Sequence, residues 1–327
     1  LLQYDDNGTL KYFLGSDADD TTGTDHPATT FGGGHRSLDP EGLVVTTNGT
    51  FYISDEYGPF VYKFNASGLY QTTLKPTAAL LPRTVLGSNF DSVTTKSTGR
   101  SNNRGMEGLT ITPDSKRLIG MMQSPTVQDG GNNARHVRLF VFDIEAGSPT
   151  ENQVIGEYIY TRPNGTASAA TATAVSEIIA VNDHQFIVLD RDGRGLGEAS
   201  TTAPFYKSLN LIDITGATNV KGMNIDKAVG DAGQQNLPAN TDLTALGITS
   251  VAVRELVDML RQEDLDKFGL NKYAGQSPLA TTNTISEKWE GFALIPLDQT
   301  DHPDGYLLLV GNDNDLRAAQ VYHNGLL

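Results

Sequence analysis

Asp39-Pro40-Glu41-Gly42-Leu43-Val44-Val45, followed by Phe51-Tyr52-Ile53-Ser54-Asp55-Glu56, reads as a hairpin with acids at both ends. The plan returns three times. Met106-Glu107-Gly108-Leu109-Thr110-Ile111 leads to Arg117–Gln123. Ser176-Glu177-Ile178-Ile179-Ala180-Val181 leads to Gln185–Asp192. Trp289-Glu290-Gly291-Phe292-Ala293-Leu294-Ile295 leads to Tyr306–Asp315. Each unit is Glu, apolar strand, turn, apolar strand, then Asp, Asn or Gln. Antiparallel pairing sets the start of the first strand beside the end of the second. Each Glu therefore meets its unit's terminal polar group at one end of a hairpin. Arranged about an axis, the four units gather their oxygen-bearing side chains on one face.

Short antiparallel strands recurring every 40–70 residues point to an all-β fold, a β-propeller. Six blades are expected, seven being the next count. Four units are clear, and two more are assembled from the termini and from the irregular segments 69–104 and 218–283. Further strands are expected at Leu10–Leu14, Phe60–Phe64, Val154–Thr161 and Ser208–Ile214, and a closing one at Ala319–Tyr322. His136–Ile144 alternates as a half-buried strand does. Val251–Met259 is either a strand or the start of a helix, and Gln262–Phe268 is a short helix with acids in its first turn. Residues 1–327 are read as a single domain, since propellers reach this size as one unit.

Composition narrows the partners. The chain has 327 residues, 34 of them Gly, and a formal net charge of −15. Nucleic-acid phosphates demand a basic surface, so such a partner is excluded. No apolar run is long enough to span a membrane. With no cysteine, disulfides and thiolate metal sites are ruled out. Sequons at Asn7, Asn48, Asn65 and Asn164, three of them containing a turn-forming Gly, mark glycosylation sites of a secreted protein.

The converging acids call for a cation. Clustered carboxylates repel and raise one another's pKa unless a positive charge sits among them. Hard oxygen donors suit Ca²⁺, which takes 6–8 of them in loose geometry, ahead of other divalent cations. The expected ligands are Glu41, Asp55, Glu56, Glu107, Glu177, Asp190, Glu290, Asn312 and Asp313. Glu41, Glu107 and Glu290 are the strongest members. An Asp after a strand is more often a turn former, which sets Asp192 and Asp315 apart. Zinc is disfavoured because His26, His35, His136, His184, His302 and His323 show no ligand spacing. Cations lie beside the acids: Arg36, Arg104, Arg191, Lys288 and Arg317. Arg104 and Arg191 are expected to bind an anion, since a guanidinium pairs bidentately with phosphate or carboxylate. Glu107 or Glu177 would serve as general base. Nucleophilic serine chemistry lacks its Gly-x-Ser-x-Gly elbow, and Gly32-Gly33-Gly34-His35 reads as a turn.

Leu38-Asp39-Pro40-Glu41-Gly42, Ile53–Pro59, Asn103–Leu109, Met122-Gln123-Ser124-Pro125, Val188–Asp192 and Trp289-Glu290-Gly291-Phe292 together resemble the phytase-like family, described as having esterase-like activity of phytase. The resemblance spans residues 38–315. It implies a secreted, metal-assisted propeller hydrolase acting on an anionic ester, a phosphate ester first. Family members often carry a strand-rich segment before the first acidic unit. Only about 38 residues precede Glu41, so a blade is expected to be incomplete or supplied by another chain. Two other readings stay open: a Ca²⁺-dependent lactonase or arylesterase, by fold-level analogy, and a non-catalytic binding propeller stabilised by Ca²⁺.

Overall fold

Alternating apolar residues bounded by Gly, Asn and Asp turns build strands here, and strands dominate the chain. The computed structural model describes residues 2–13, 38–84, 87–88, 95–163, 173–196, 203–272, 284–297 and 305–313. The strands are β1 (Gln3–Asp6), β2 (Thr9–Tyr12), β3 (Pro40–Val45), β4 (Phe51–Asp55), β5 (Val61–Phe64), β6 (Tyr70–Leu74), β7 (Arg83–Thr84), β8 (Gly87–Ser88), β9 (Met106–Ile111), β10 (Arg117–Met122), β11 (His136–Asp143), β12 (Val154–Thr161), β13 (Ala174–Ala180), β14 (Gln185–Arg191), β15 (Lys207–Asp213), β16 (Ala252–Asp258), β17 (Trp289–Pro296) and β18 (Tyr306–Asn312). Among the described residues one short α-helix, α1 (Gln262–Leu265), runs on into a 3₁₀ turn at Asp266–Phe268.

Three sheets are four-stranded meanders: β3-β4-β5-β6, β9-β10-β11-β12 and β13-β14-β15-β16. Hairpins β1-β2, β7-β8 and β17-β18 stand apart from them. Each meander is antiparallel throughout. The four hairpins expected from the acidic repeat are β3-β4, β9-β10, β13-β14 and β17-β18. Their registers place Pro40 opposite Asp55, Met106 opposite Met122, Val175 opposite Asp190 and Trp289 opposite Asn312. The acid-bearing ends therefore do meet within each unit.

First strands lie side by side. Ser54 Oγ donates to the Glu107 carbonyl at 2.8 Å, tying the first sheet to β9. Ala180 N donates to Thr110 Oγ1 at 3.0 Å, tying β13 to β9. Ile187, Leu189 and Leu209 of the third sheet pack against Trp289, Phe292, Leu308 and Val310 of the last hairpin. Glycine permits the closest of these approaches. A Cβ on Gly42 would lie 2.5 Å from Leu109 Cβ and 2.8 Å from its amide, and one on Gly108 would lie 3.0 Å from Ile178 N. Gly291, at the matching place in the last hairpin, has open space around it.

Two expectations are revised and one open choice is settled. Segment 69–104, expected to help assemble a further blade, instead begins with the fourth strand of the first sheet, Tyr70–Leu74. β11 is buried along its whole length rather than half-buried, because acids accompany its Arg138 inside. Residues 252–258 settle as a strand. Ala319–Tyr322 lies outside the described residues, which contain three four-stranded sheets and no closed one.

Gly42→Ala is expected to destabilise the protein by about 1–3 kcal/mol, the usual cost of overpacking, with Gly291→Ala near neutral. Chemical denaturation of both variants checks this; equal effects would contradict a packing role specific to Gly42.

Candidate functional site

A bulge marks the head of each acidic hairpin, and it decides which side chain enters the site. In β9 the register passes from Met106 opposite Met122 to Gly108 opposite Met121, so Glu107 is the extra residue. In β17 Glu290 is extra between Trp289 and Gly291. In β3 Glu41 and Gly42 together bridge the step from Pro40 to Leu43. A bulge bends its strand and re-aims the unpaired side chain. Glu41, Glu107 and Glu290 all line one cavity of about 760 Å³, together with Asp39, Glu56, Arg104, Gln123 and Arg191.

The third unit departs by one residue. There the extra residue is Ser176, and Glu177 is back in the ladder opposite Leu189. Glu177 therefore matches Gly108, not Glu107. Its Oε1 accepts from the Ile178 amide at 2.8 Å, and it does not line the cavity. Burial pushes its carboxyl up to about 8.

Asp55 also lies behind the site rather than in it. Its two oxygens accept from Asp39 N at 3.0 Å, Tyr57 N at 3.1 Å, Gly58 N at 3.0 Å and Tyr62 Oη at 3.2 Å. Four donors satisfy the carboxylate, so it organises the turn that presents Glu56. Asp39 is held in the same way, with its carbonyl accepting from Glu56 N at 3.0 Å. The outcome is a tight group: carboxylate oxygens of Asp39, Glu41 and Glu56 lie within 4.8 Å of one another. Asp39 heads the first hairpin but has no part in the glutamate repeat, which is why it is missing from the ligands expected from the sequence.

Glu56 is 1% exposed and Glu107 3%. Glu56 Oε1 and Glu107 Oε2 are buried without a hydrogen-bond partner. Burial pushes Glu56 up to about 11, with Glu107, Glu41 and Asp39 adding repulsion. Glu41 is exposed at the residue level, yet its carboxyl, set among the other acids, is pushed up to about 9 by partial desolvation and then by Glu107, Asp39 and Glu290. Glu107 rises only to about 7. Burial raises it and Glu290 adds to that, while Gln123, Arg191 and Arg104 hold it down. Buried acceptors without donors, crowded by like charge, fit a hard divalent cation.

The cations take different parts. Arg191 pairs with Glu290 and donates to the Trp289 carbonyl at 3.2 Å, joining the third sheet to the last hairpin. Lys288 reaches Asp313 at 3.5 Å and Glu290 at 4.0 Å. Arg104 makes no ion pair among the described residues and senses Glu56 and Glu107 at longer range. Asp190 is buried beside Tyr160, 3.2 Å away, and is not part of the lining. Asn312 is exposed outside it. Asp313, an expected ligand, lines it, as do Asn102, Asn103, Asn132, Glu287 and Lys288; of these five, Asn103 has a sequence signal in the Asn103–Leu109 motif and Lys288 in its place beside Glu290. Sequon residues Asn7 and Asn48 are exposed and Asn65 is half-buried, all in turns. Asn164, Arg36, Asn314, Asp315 and Arg317 lie outside the described residues.

A family model for phytase-like proteins, described as esterase-like activity of phytase, matches residues 11–316. The chain belongs to the phytase-like family. A relative from Arthroderma benhamiae, named "Uncharacterized secreted protein", is 32% identical over 310 residues, 87% of this chain. The chain spans 59% of that relative's length. Among solved structures, the β-propeller domain of Myceliophteria thermophila Cps50 (Swd1) matches at TM-score 0.31 and 10% identity, covering 73% of this chain and 45% of that one. The WD40 repeats of RRP9 match at TM-score 0.29 and 12% identity, covering 55% and 36%. Likenesses this distant add nothing to the argument from the sheets themselves. Among the described residues no helix is long and apolar enough to cross a membrane.

The raised carboxyls give a pH test. Each binds its proton more tightly folded than unfolded, so stability falls as pH rises from the ordinary range near 4.5 through the raised values near 7, 9 and 11. In chelator the melting temperature should fall between about pH 5 and about pH 9. Added Ca²⁺ should restore it more at the alkaline end, where fewer protons are displaced. A melting temperature that rises with pH in chelator would contradict the cluster.

Proposed function

We propose that this protein is a secreted, metal-assisted hydrolase of an anionic ester, a phosphate ester first, built on a propeller for which six blades is the expected count. The observation that carries the reading is one cavity holding both the Asp39–Glu41–Glu56 group and Arg104. Secretion is supported by the name of the Arthroderma relative and by the sequons at Asn7, Asn48 and Asn65.

Asp39, Glu41 and Glu56 are the ligands proposed for the cation, with Ca²⁺ favoured by their hard oxygen donors. When bound, such a cation polarises the substrate's oxygen and lowers the pKa of water. The remaining work falls to side chains. Arg104, short of an ion-pair partner, is placed to hold the ester's anionic oxygens by charge-assisted hydrogen bonds. Glu107, near 7, is suited to take a proton from attacking water, because a base works best with a pKa close to the operating pH. Gln123 lowers the Glu107 pKa by hydrogen bonding to it, which also fixes its direction. Arg191, engaged by Glu290, holds the last hairpin to the third sheet and so keeps that wall of the cavity in place.

The lining favours a polar substrate over an apolar aryl ester or lactone. Apart from Pro40 and Gly193, every lining residue is polar or charged.

Glu107→Gln should lower hydrolysis by about 10²–10⁴-fold, the usual contribution of a general base, and leave the circular dichroism spectrum unchanged. Glu177→Gln should keep its activity. A panel of phosphate esters, aryl esters and lactones, with and without chelator, reads out both variants. Full activity of Glu107→Gln on every accepted substrate would sink the assignment, and no turnover by the parent protein on any substrate would favour a binding module.

A further inference from the structure

A second set of carboxyls is shut away from water, apart from the cavity. Arg138 of β11 is 1% exposed. Its NH2 lies 3.0 Å from Asp129 Oδ2, and its NH1 lies 2.7 Å from Glu157 Oε1 and 3.6 Å from Asp226 Oδ1. Three carboxyls thus surround one guanidinium in a dry site. A surplus of buried negative charge is costly, and a carboxyl so placed neutralises by taking up a proton.

The geometry shows where that proton belongs. Glu157 Oε2 and Asp226 Oδ1 are both buried and both lack a donor. Both carboxyls close on the same nitrogen, Arg138 NH1, from Glu157 Oε1 at 2.7 Å and from Asp226 Oδ1 at 3.6 Å, which sets them side by side. Two acceptors face to face repel, whereas one proton between them gives each a partner. We propose that Glu157 and Asp226 share a proton, and that this proton latches segment 219–243 onto the second sheet.

The segment is tied down around this point. Val220 N donates to the Glu157 carbonyl at 2.8 Å, and Glu157 N donates to Asn219 Oδ1 at 3.1 Å. Arg138 NH2 donates to the Ile225 carbonyl at 3.1 Å, and Leu237 N donates to Asp129 Oδ1 at 2.7 Å. Val220, Ile225, Leu237 and Leu243 pack on Ile159 of β12. The segment also braces the cavity wall. Arg135 N donates to the Ala239 carbonyl at 2.8 Å, and Asn132, three residues before Arg135, lines the cavity. The latch is a regulatory device set behind the pocket, and it does not depend on the hydrolase reading.

Its pH sense follows from the charges that face it. Burial pushes Glu157 up to about 8; Arg138 opposes this and Asp226 adds to it. Asp129 shares Arg138 from the 127–129 turn. His136, two residues before Arg138 on β11, senses Asp129 and Asp242 but is held below its usual range by burial. The latched state binds the proton more tightly than the open one, so the latch is firmest in acid and weakens as pH rises towards about 8.

Hydrogen exchange on the whole protein, at fixed cation concentration and corrected for intrinsic rates, tests this. Protection of amides in 219–243 should fall by up to about tenfold per pH unit between about pH 5 and pH 8, then level off. Glu157→Gln supplies an N–H where the shared proton sits, so its protection should stay high and flat across that range. Asp226→Asn carries the same test should the first variant fail to fold. Infrared difference spectra of the parent at neutral pH should contain a protonated-carboxyl stretch that either variant removes. A flat parent profile, a Gln variant with the parent's profile, or no such stretch would overturn the proposal.

Discussion

The extra residue at the head of each first strand is the constraint on which the site depends. Strand side chains alternate between faces, so a regular β9 would give Met106, Glu107 and Gly108 no special direction. The bulge takes Glu107 out of the ladder, and the same happens at Glu290 and around Glu41. Glycine completes the device in the first two units. Without a Cβ, Gly42 and Gly108 let β3 approach β9, and β9 approach β13, closely enough for glutamates from separate sheets to interact. Glu-Gly is thus two requirements in two letters: an acid for the cavity and an absent side chain for the seam.

Burial and charge then pull against each other. Carboxyls crowded together, Glu56 and Glu107 buried and Glu41 exposed beside them, hold protons or demand a cation. Glu41, Glu56 and Glu107 are raised to different extents because their neighbours differ. Glu56 faces mostly acids, while Glu107 has Gln123, Arg191 and Arg104 nearby. Such a graded set is what the proposed division into ligand and base carboxyls requires of one cavity. Asp55 supports it from behind, spending both oxygens on the turn that carries Glu56.

Much of this was legible in the letters, and the gaps have physical causes. Hairpin pairing alone brings Glu107 beside Gln123 and Glu290 beside Asn312. Register is harder: nothing in Ser176-Glu177 says which residue is extra, and a shift of one exchanges the faces. Glu177 was therefore matched to Glu107 when Ser176 holds that place. Asp55 has the composition of a ligand, but Tyr57 and Gly58 offer it backbone amides. Tyr70–Leu74 is rich in Thr and followed by Pro76, and its place at the outer edge of a sheet needs little apolar character. Asn102 comes from a turn and Asn132 from a single 3₁₀ turn, where no strand period marks them.

The central claim is that acids gathered at one end of the first sheet, Glu41 at the bulge with Asp39 and Glu56 beside it, hold a cation. A crystal structure with Ca²⁺, or with an anomalously scattering surrogate such as Tb³⁺, tests it most directly. The account predicts density in contact with Asp39, Glu41 and Glu56 oxygens at about 2.3–2.6 Å, with Arg104 free to meet an anion. A cation bound elsewhere, or none at saturating concentration with the three carboxyls still together, would contradict it.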